Sequence, residues 1–285
     1  GRVALGRLQR FLGAERVPGR AVLPPAPRGA ADAVVVSGAA FAWSRGDAAS
    51  TVPPTITLRV PSLRVRAGDL VVVVGDVGAG KSSLLAALLG EMVAIEGTVS
   101  VAGTIAYAAQ DPWIRNQSVR ANITWEDWPA AAADGEGVED RPRTGPGTKN
   151  NAATAADPAW YDTVLDACAL RPDLASWPAG DDTEIGEKGV TLSGGQRARV
   201  ALARAVFARA DTYLLDDPLS AVDAHVGSHL WEACLTGVLA GSTRILVTHQ
   251  VQYAGRADMV VVVRGGAVVD AGPPGGVDLS GVAAP

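Results

Sequence analysis

The stretch Gly75-Asp76-Val77-Gly78-Ala79-Gly80-Lys81-Ser82-Ser83 decides how the rest of the chain is read. It follows the apolar run Leu70-Val71-Val72-Val73-Val74 and opens into Leu84-Leu85-Ala86-Ala87-Leu88-Leu89. The order is buried strand, glycine turn, helix, with the spacing G-x-x-x-x-G-K-[ST] inside the turn. Glycines let successive backbone N–H groups face inward around a phosphate chain. The helix beginning near Lys81 aims its positive dipole end at the same chain. Lys81 is expected to reach the outer phosphates as a point charge, and the Ser82 hydroxyl to ligate Mg²⁺. A chain with 33 Gly can produce this spacing by chance, as an ordinary turn between core elements. Its place between a Val-rich strand and a Leu-rich helix makes it a phosphate loop.

At 285 residues and 48% hydrophobic, the chain can bury a full core. The longest apolar runs fall far short of the roughly 20 residues of a spanning helix. Gly1 stands where an initiator Met would, so the sequence reads as a fragment of a longer protein, and its start shows no signal-peptide pattern. Cys168 and Cys234 suit a reducing compartment and lack metal-ligand spacing, which leaves them as small buried residues. A net charge of −5 and a pI near 5.3 argue against a nucleic-acid surface.

Upstream, residues 3–12 set Val3, Leu5, Leu8, Phe11 and Leu12 between Arg2, Arg7 and Arg10, the spacing of a short basic amphipathic helix. It suits a membrane interface or packing on the domain. Residues 17–32 are rich in Pro, Gly and Ala and read as a linker, with the folded part beginning near Ala33. Val34-Val35-Val36, Phe41-Ala42-Trp43 and residues 55–60 look like strands of an antiparallel portion preceding the core. Trp43 either fills that β core or stacks on an adenine face. Downstream, residues 97–103 read as a strand or hairpin, and Ile105-Ala106-Tyr107-Ala108 as a strand ending at Gln110. A glutamine there can reach a metal ion or an attacking water, or stay a solvated loop residue. Residues 125–157 show no period and read as a flexible insertion of about thirty residues. Helical spacing resumes over residues 160–170.

A second cluster begins at Leu192-Ser193-Gly194-Gly195-Gln196 and leads into a strong helix over residues 197–209. Ser193 is placed as an N-cap, and the glycines permit close approach at the helix's positive end. The pattern is a second anion cradle or a capped helix with no ligand. Tyr213-Leu214-Leu215-Asp216-Asp217 then ends an apolar strand in two carboxylates. Asp216 can hold Mg²⁺ opposite Ser82, with Asp217 as base or water-positioner. Ser220-Ala221-Val222-Asp223 turns into a helix whose His225 and His229 read as surface residues. Residues 244–248 form a buried strand ending at His249, where ligands bind in such a sheet. Residues 259–263 and 267–270, joined by Arg264-Gly265-Gly266, close the domain as a hairpin.

These pieces in this order resemble the nucleotide-binding domain of ATP-binding cassette (ABC) proteins, over about residues 34–272. Gly75 to Ser82 correspond to Walker A, Gln110 to the Q-loop, Leu192 to Gln196 to the LSGGQ signature and Asp216 to the Walker B aspartate. Ser220 to Asp223 look like the D-loop and His249 like the switch histidine. Trp43 sits where the family places its adenine-stacking aromatic. The segments DPWIRNQSVRANI (111–123), TEIGEKGVTLSGGQ (183–196) and YLLDDPLSAVDAHVG (213–227) are similar to the first such domain of C-subfamily, multidrug-resistance-associated exporters.

The resemblance implies an α/β fold: a P-loop core, an antiparallel β subdomain and an α-helical signature subdomain over about residues 111–208. The cassette proper would be residues 33–285, with residues 1–32 following a membrane domain. It implies an ATPase that uses ATP and Mg²⁺, with Ser82, Gln110 and Asp216 at the metal and Asp217, His249 and Gln110 as catalytic residues. Two cassettes would close head to tail around two ATP molecules, coupled to transmembrane domains on the cytoplasmic face of a membrane, to power solute export. A nucleotide-sensing domain of an ABC-type channel or receptor would carry the same motifs. The family usually has Glu where this chain has Asp217, so its own site is expected to bind Mg-ATP and hydrolyse it slowly. The isolated domain is expected to turn over weakly, and the insertion is longer than the family pattern.

Overall fold

The computed structural model describes residues 32–44, 54–125, 157–187, 189–280 and 282. The basic stretch 3–12, the linker up to residue 31 and the insertion over 126–156 lie outside the described residues.

Eleven strands are described: β1 (Asp32–Ala42), β2 (Leu58–Arg66), β3 (Leu70–Val74), β4 (Val93–Val101), β5 (Ile105–Ala108), β6 (Gln117–Ser118), β7 (Glu184–Ile185), β8 (Thr212–Asp216), β9 (Thr243–Val247), β10 (Met259–Arg264) and β11 (Ala267–Gly272). Nine join in one sheet, ordered β4-β1-β2-β11-β10-β3-β9-β8-β5. From β10 to β5 every neighbour is parallel. From β4 to β2 the pairing is antiparallel, and β11 bridges the halves, antiparallel to β10 and parallel to β2.

β3, β8 and β9 are buried at every position, which is why they read as unbroken apolar runs. Side chains on a strand alternate between faces. Val71 and Val73 of β3 join Phe41, Leu58 and Val65 of the antiparallel strands and Leu84, Leu85 and Leu88 of helix α1 (Lys81–Leu89). Val72 and Val74 join the other core, with helices α2 (Val119–Thr124), α3 (Pro158–Ala167), α4 (Arg171–Ser176) and α5 (Gly194–Phe207) near it. That second layer also contains α6 (Ala224–His229) and the wide-turned π-helix Leu230–Val238. The sheet is therefore covered on both faces, and its strand ends are left for chemistry.

Three expectations are corrected in their bounds. The sequence splits residues 34–43 into two strands, but β1 runs unbroken from Asp32 to Ala42, with its register to β4 shifting between Ser37 and Ala40. A bulge absorbs the extra residue between Ser37 and Ala40. Residues 97–101 are strand, as one of the two expected alternatives, but they are the second half of a longer one. β4 begins at Val93 and passes through Gly97 at φ 73°, where a Cβ would lie 2.4 Å from the Gly38 carbonyl oxygen. The helical run over 160–170 ends early, because α3 stops at Ala167 and a second helix starts only at Arg171. Asp157 caps α3 by accepting from Trp160 N, the chain turns through Ala169 at φ 53°, and α4 follows. The closing hairpin of β10 and β11 is as expected.

Candidate functional site

The site grows from the tip of β3. Gly75 has φ 154°, and a Cβ on it would lie 2.1 Å from the Val263 carbonyl oxygen on neighbouring β10, so no side chain fits. Ala79 N donates to Asp76 O at 3.1 Å, and Gly266 N donates to Ala79 O at 2.9 Å, which pins the loop to the turn between β10 and β11. Gly80 sits at the N-cap of α1 with no side chain accepting from the first amides. Those amides and the dipole end are what an anion meets. Lys81 is 6% exposed and its Nζ donates to Gly75 O at 2.7 Å and Asp76 O at 2.9 Å. Burial pushes its pKa down, against the pull of the Asp217, Asp216 and Asp76 carboxylates.

Sheet order brings the other groups to Lys81. Val73 of β3 pairs with Val247 of β9, and Val247 pairs with Asp216 of β8. Parallel strands end on the same side, so the residues just past them converge. Asp216 and Ser82 line the same cleft beside Lys81. Desolvation raises the Asp216 pKa and the Asp217 charge adds to this, while Ser82, Lys81 and His249 oppose. His249 Nε2 lies 4.0 Å from Asp217 Oδ2. A cleft of about 240 Å³ is lined by the loop together with Lys81, Ser82, Gln110, Asp216, Asp217 and His249. One cation, two hydroxyls (Ser82 and Ser83), two carboxylates, an amide and an imidazole line a single phosphate-sized space.

The family model for ABC transporters matches residues 58–220. The chain is 41% identical over 277 residues to human ATP-binding cassette sub-family C member 3, covering 95% of this chain and 16% of that protein. It is also 41% identical over 277 residues to human sub-family C member 10, with 96% and 16% coverage, and 42% identical over 242 residues to mouse member 3, with 84% and 14%. The chain belongs to the ABC transporter family. It is an ATP-binding cassette of the C-subfamily type, cassettes of this family are ATPases, and it spans about a sixth of the length of the human relatives it matches. Among the described residues no helix is long and apolar enough to cross a membrane.

Elsewhere in the cassette, the signature lies apart from this cleft. Ser193 caps α5 and forms a capping box with Gln196, and Leu192 is buried beneath them. Gly194 borders a separate recess of about 90 Å³ between Gln110, Arg197 and the segment from Asp217 to Ala221. Neither Ser193 nor Gly195 lines the 240 Å³ cleft, although the recess at Gly194 shares Gln110 and Asp217 with it. Trp43 stands 56% exposed just past β1 and does not line the cleft either. His225 and His229 are exposed, as expected.

Two groups escaped the sequence. Asn122 is fully buried: its Oδ1 accepts from Arg115 N and Arg204 Nη2, and its Nδ2 donates to the carbonyls of Arg115, Gln117 and Ser118. This amide fixes the segment that follows Gln110. Asp173 receives hydrogen bonds from Gln196 and Arg199. The contacts from Arg204 to Asn122 and from Gln196 to Asp173 join residues 82 and 23 positions apart, which no local pattern marks.

Proposed function

We propose that this cassette binds Mg-ATP in the cleft around Lys81, pairs head to tail with a second cassette and powers solute export by the transporter to which both belong. The observation that carries the reading is that Ser82, Asp216 and Lys81 line one cleft at the tips of parallel strands β3 and β8, on either side of β9. These residues fit a magnesium ion. Mg²⁺ takes one or two protein oxygens and completes its shell with water and phosphate. The Ser82 hydroxyl and the Asp216 carboxylate would hold it, with the Gln110 amide in the same cleft, and it would neutralise charge on the β- and γ-phosphates. Among the described residues no cluster of three or more His, Cys, Asp or Glu offers a protein-only cage, consistent with this mode.

The loop amides and Lys81 bind the phosphate chain, Trp43 stacks on the base, and His249 with Asp217 orders the attacking water. Ser193 and the amides of Gly194 and Gly195 meet the γ-phosphate of the partner's ATP. That geometry explains why two cradles occur in one chain: each cassette completes the other's site. Residues 33–285 form the cassette, residues 111–208 its signature-bearing helical part, and the assembly lies on the cytoplasmic face of a membrane. Asp217 is one methylene short of Glu, so its carboxylate stands back from the water and the site turns over slowly.

Lys81→Ala is expected to weaken Mg-ATP binding at least about tenfold, the loss of charge-assisted contacts to phosphate. Unchanged affinity by equilibrium titration would overturn the assignment. With the full transporter in vesicles, ATP-dependent solute uptake without ATP-dependent current is the expected result for export. Current without uptake would make the protein a nucleotide-gated channel instead.

A further inference from the structure

The glutamine of the signature is gripped from outside its own helix. Asp173, in the first turn of α4, accepts from Gln196 Nε2 through Oδ1 at 2.9 Å and from Arg199 Nη2 through Oδ2 at 2.6 Å. The Asp173 and Arg199 side chains are each 12% exposed, so the pair is largely shielded from solvent and salt.

This grip settles which way the carboxamide of Gln196 faces. An amide has a donor end and an acceptor end, and a carboxylate accepts only. With Nε2 committed to Asp173, Oε1 turns the other way and accepts from Ser193 N at 2.9 Å. The reversed amide would set Oε1 against the carboxylate and leave Ser193 N facing a donor. In return Gln196 N donates to Ser193 Oγ at 3.2 Å. The Ser193 and Gln196 amides are thus consumed within the cap, and those of Gly194 and Gly195 have no intrachain acceptor among the described residues. These two glycine amides stand at the positive end of a helix of 14 residues. A bare carboxylate nearby would repel an incoming phosphate. Arg199 neutralises Asp173, so it orients Gln196 without setting an unpaired negative charge beside the cradle.

We infer that Asp173 is a positioning residue of the signature, acting through Gln196 to hold Ser193, Gly194 and Gly195 in the form that receives the γ-phosphate. The inference rests on the reading that this cradle closes on the partner cassette's ATP.

The test uses the full transporter in membrane vesicles. Gln196→Glu sets two carboxylates face to face and is expected to lower kcat for ATP hydrolysis about tenfold, with KM changed less than about twofold. Adding Asp173→Asn reverses the hydrogen bond, an amide at position 173 now donating to a carboxylate at 196, and is expected to raise kcat at least about fivefold over the single variant. A slow Gln196→Glu transporter with no recovery in the double variant overturns the role of Asp173 and leaves the phosphate cradle standing. A Gln196→Glu transporter as fast as the parent overturns both. Asp173→Ala probes the same contact without a like-charge clash: kcat about tenfold down supports the inference, and kcat within about twofold of the parent overturns it.

Discussion

Asp217 concentrates unfavourable features at one position. Its φ is 49°, its side chain is 3% exposed, and its Oδ1 has no hydrogen-bond partner among the described residues. A non-glycine residue in this region costs about 1–2 kcal/mol, less for Asp than for most, and the neighbours hold it there. Asp217 N donates to Val247 O at 2.9 Å, and Ser220 donates to Asp217 O from both its amide and its hydroxyl. Strain and an unpaired buried acceptor at a cleft are where reactivity is stored. Asp217→Glu is expected to speed single-turnover hydrolysis in the full transporter about tenfold, within the range a well-placed base supplies; no gain would mean side-chain length is not the limit. Asp216 offers a second test. Its pKa is raised by burial, so folding disfavours its charged form, and the cost is present at neutral pH and fades as pH falls through the raised value. Asp216→Asn should therefore raise the thermal midpoint of the ligand-free cassette at pH 7, by an amount that shrinks toward pH 4, while removing the Mg²⁺ dependence of ATP binding.

At the scale of elements, the segment after β5 is held by polar contacts as well as by the burial of Val119 and Ile123 in the core. α2 has only six residues and could not persist alone. It stands because Ser118 caps it, accepting from Ala121 N, and because Asn122 ties it to residues 115–118. Arg204 of α5 donates to Asn122 O and Oδ1 and to Trp113 O, and its guanidinium lies 4.8 Å from the Trp125 ring centroid. Burial lowers the Arg204 pKa to about 10, helped by the nearby Arg115 charge, so it stays charged at neutral pH. Asn122→Ala would strand several buried donors and acceptors and is expected to cost about 2–4 kcal/mol. Denaturant unfolding measures the loss, and hydrogen exchange should rise first over residues 113–124. Uniform exchange across the chain would show that Asn122 is not the local tie.

Among the described residues a nine-stranded sheet lies between two apolar layers, with the candidate ligand groups contributed by β3, β5, β8, β9 and the loops after them. A ligand that binds only when these strands are registered must stabilise the whole fold. Mg-ATP at a hundred times its dissociation constant is expected to add about 2.7 kcal/mol. The thermal midpoint should climb with ATP concentration, respond to EDTA, and stay flat in Lys81→Ala. A midpoint insensitive to ATP in the parent chain would place the nucleotide elsewhere.

The sequence by itself determined the phosphate loop, the signature cap, the two carboxylates ending β8 and the order in which they occur. Each is local: a run of valines buried on both faces, glycines where the backbone must turn, a serine ahead of a helix. Family membership followed from that order. Tertiary structure alone decided that β9 separates β3 from β8 and so sets His249 beside Asp217 and Ser82 beside Asp216. It also decided that β1 is a single bulged strand, that Trp43 stands outside the cleft lining, and that α4 exists to place Asp173 under Gln196. The physical reason is common to all of these. Pairing between strands, and a carboxylate meeting an amide 23 residues away, depend on long-range packing that leaves no period in the chain.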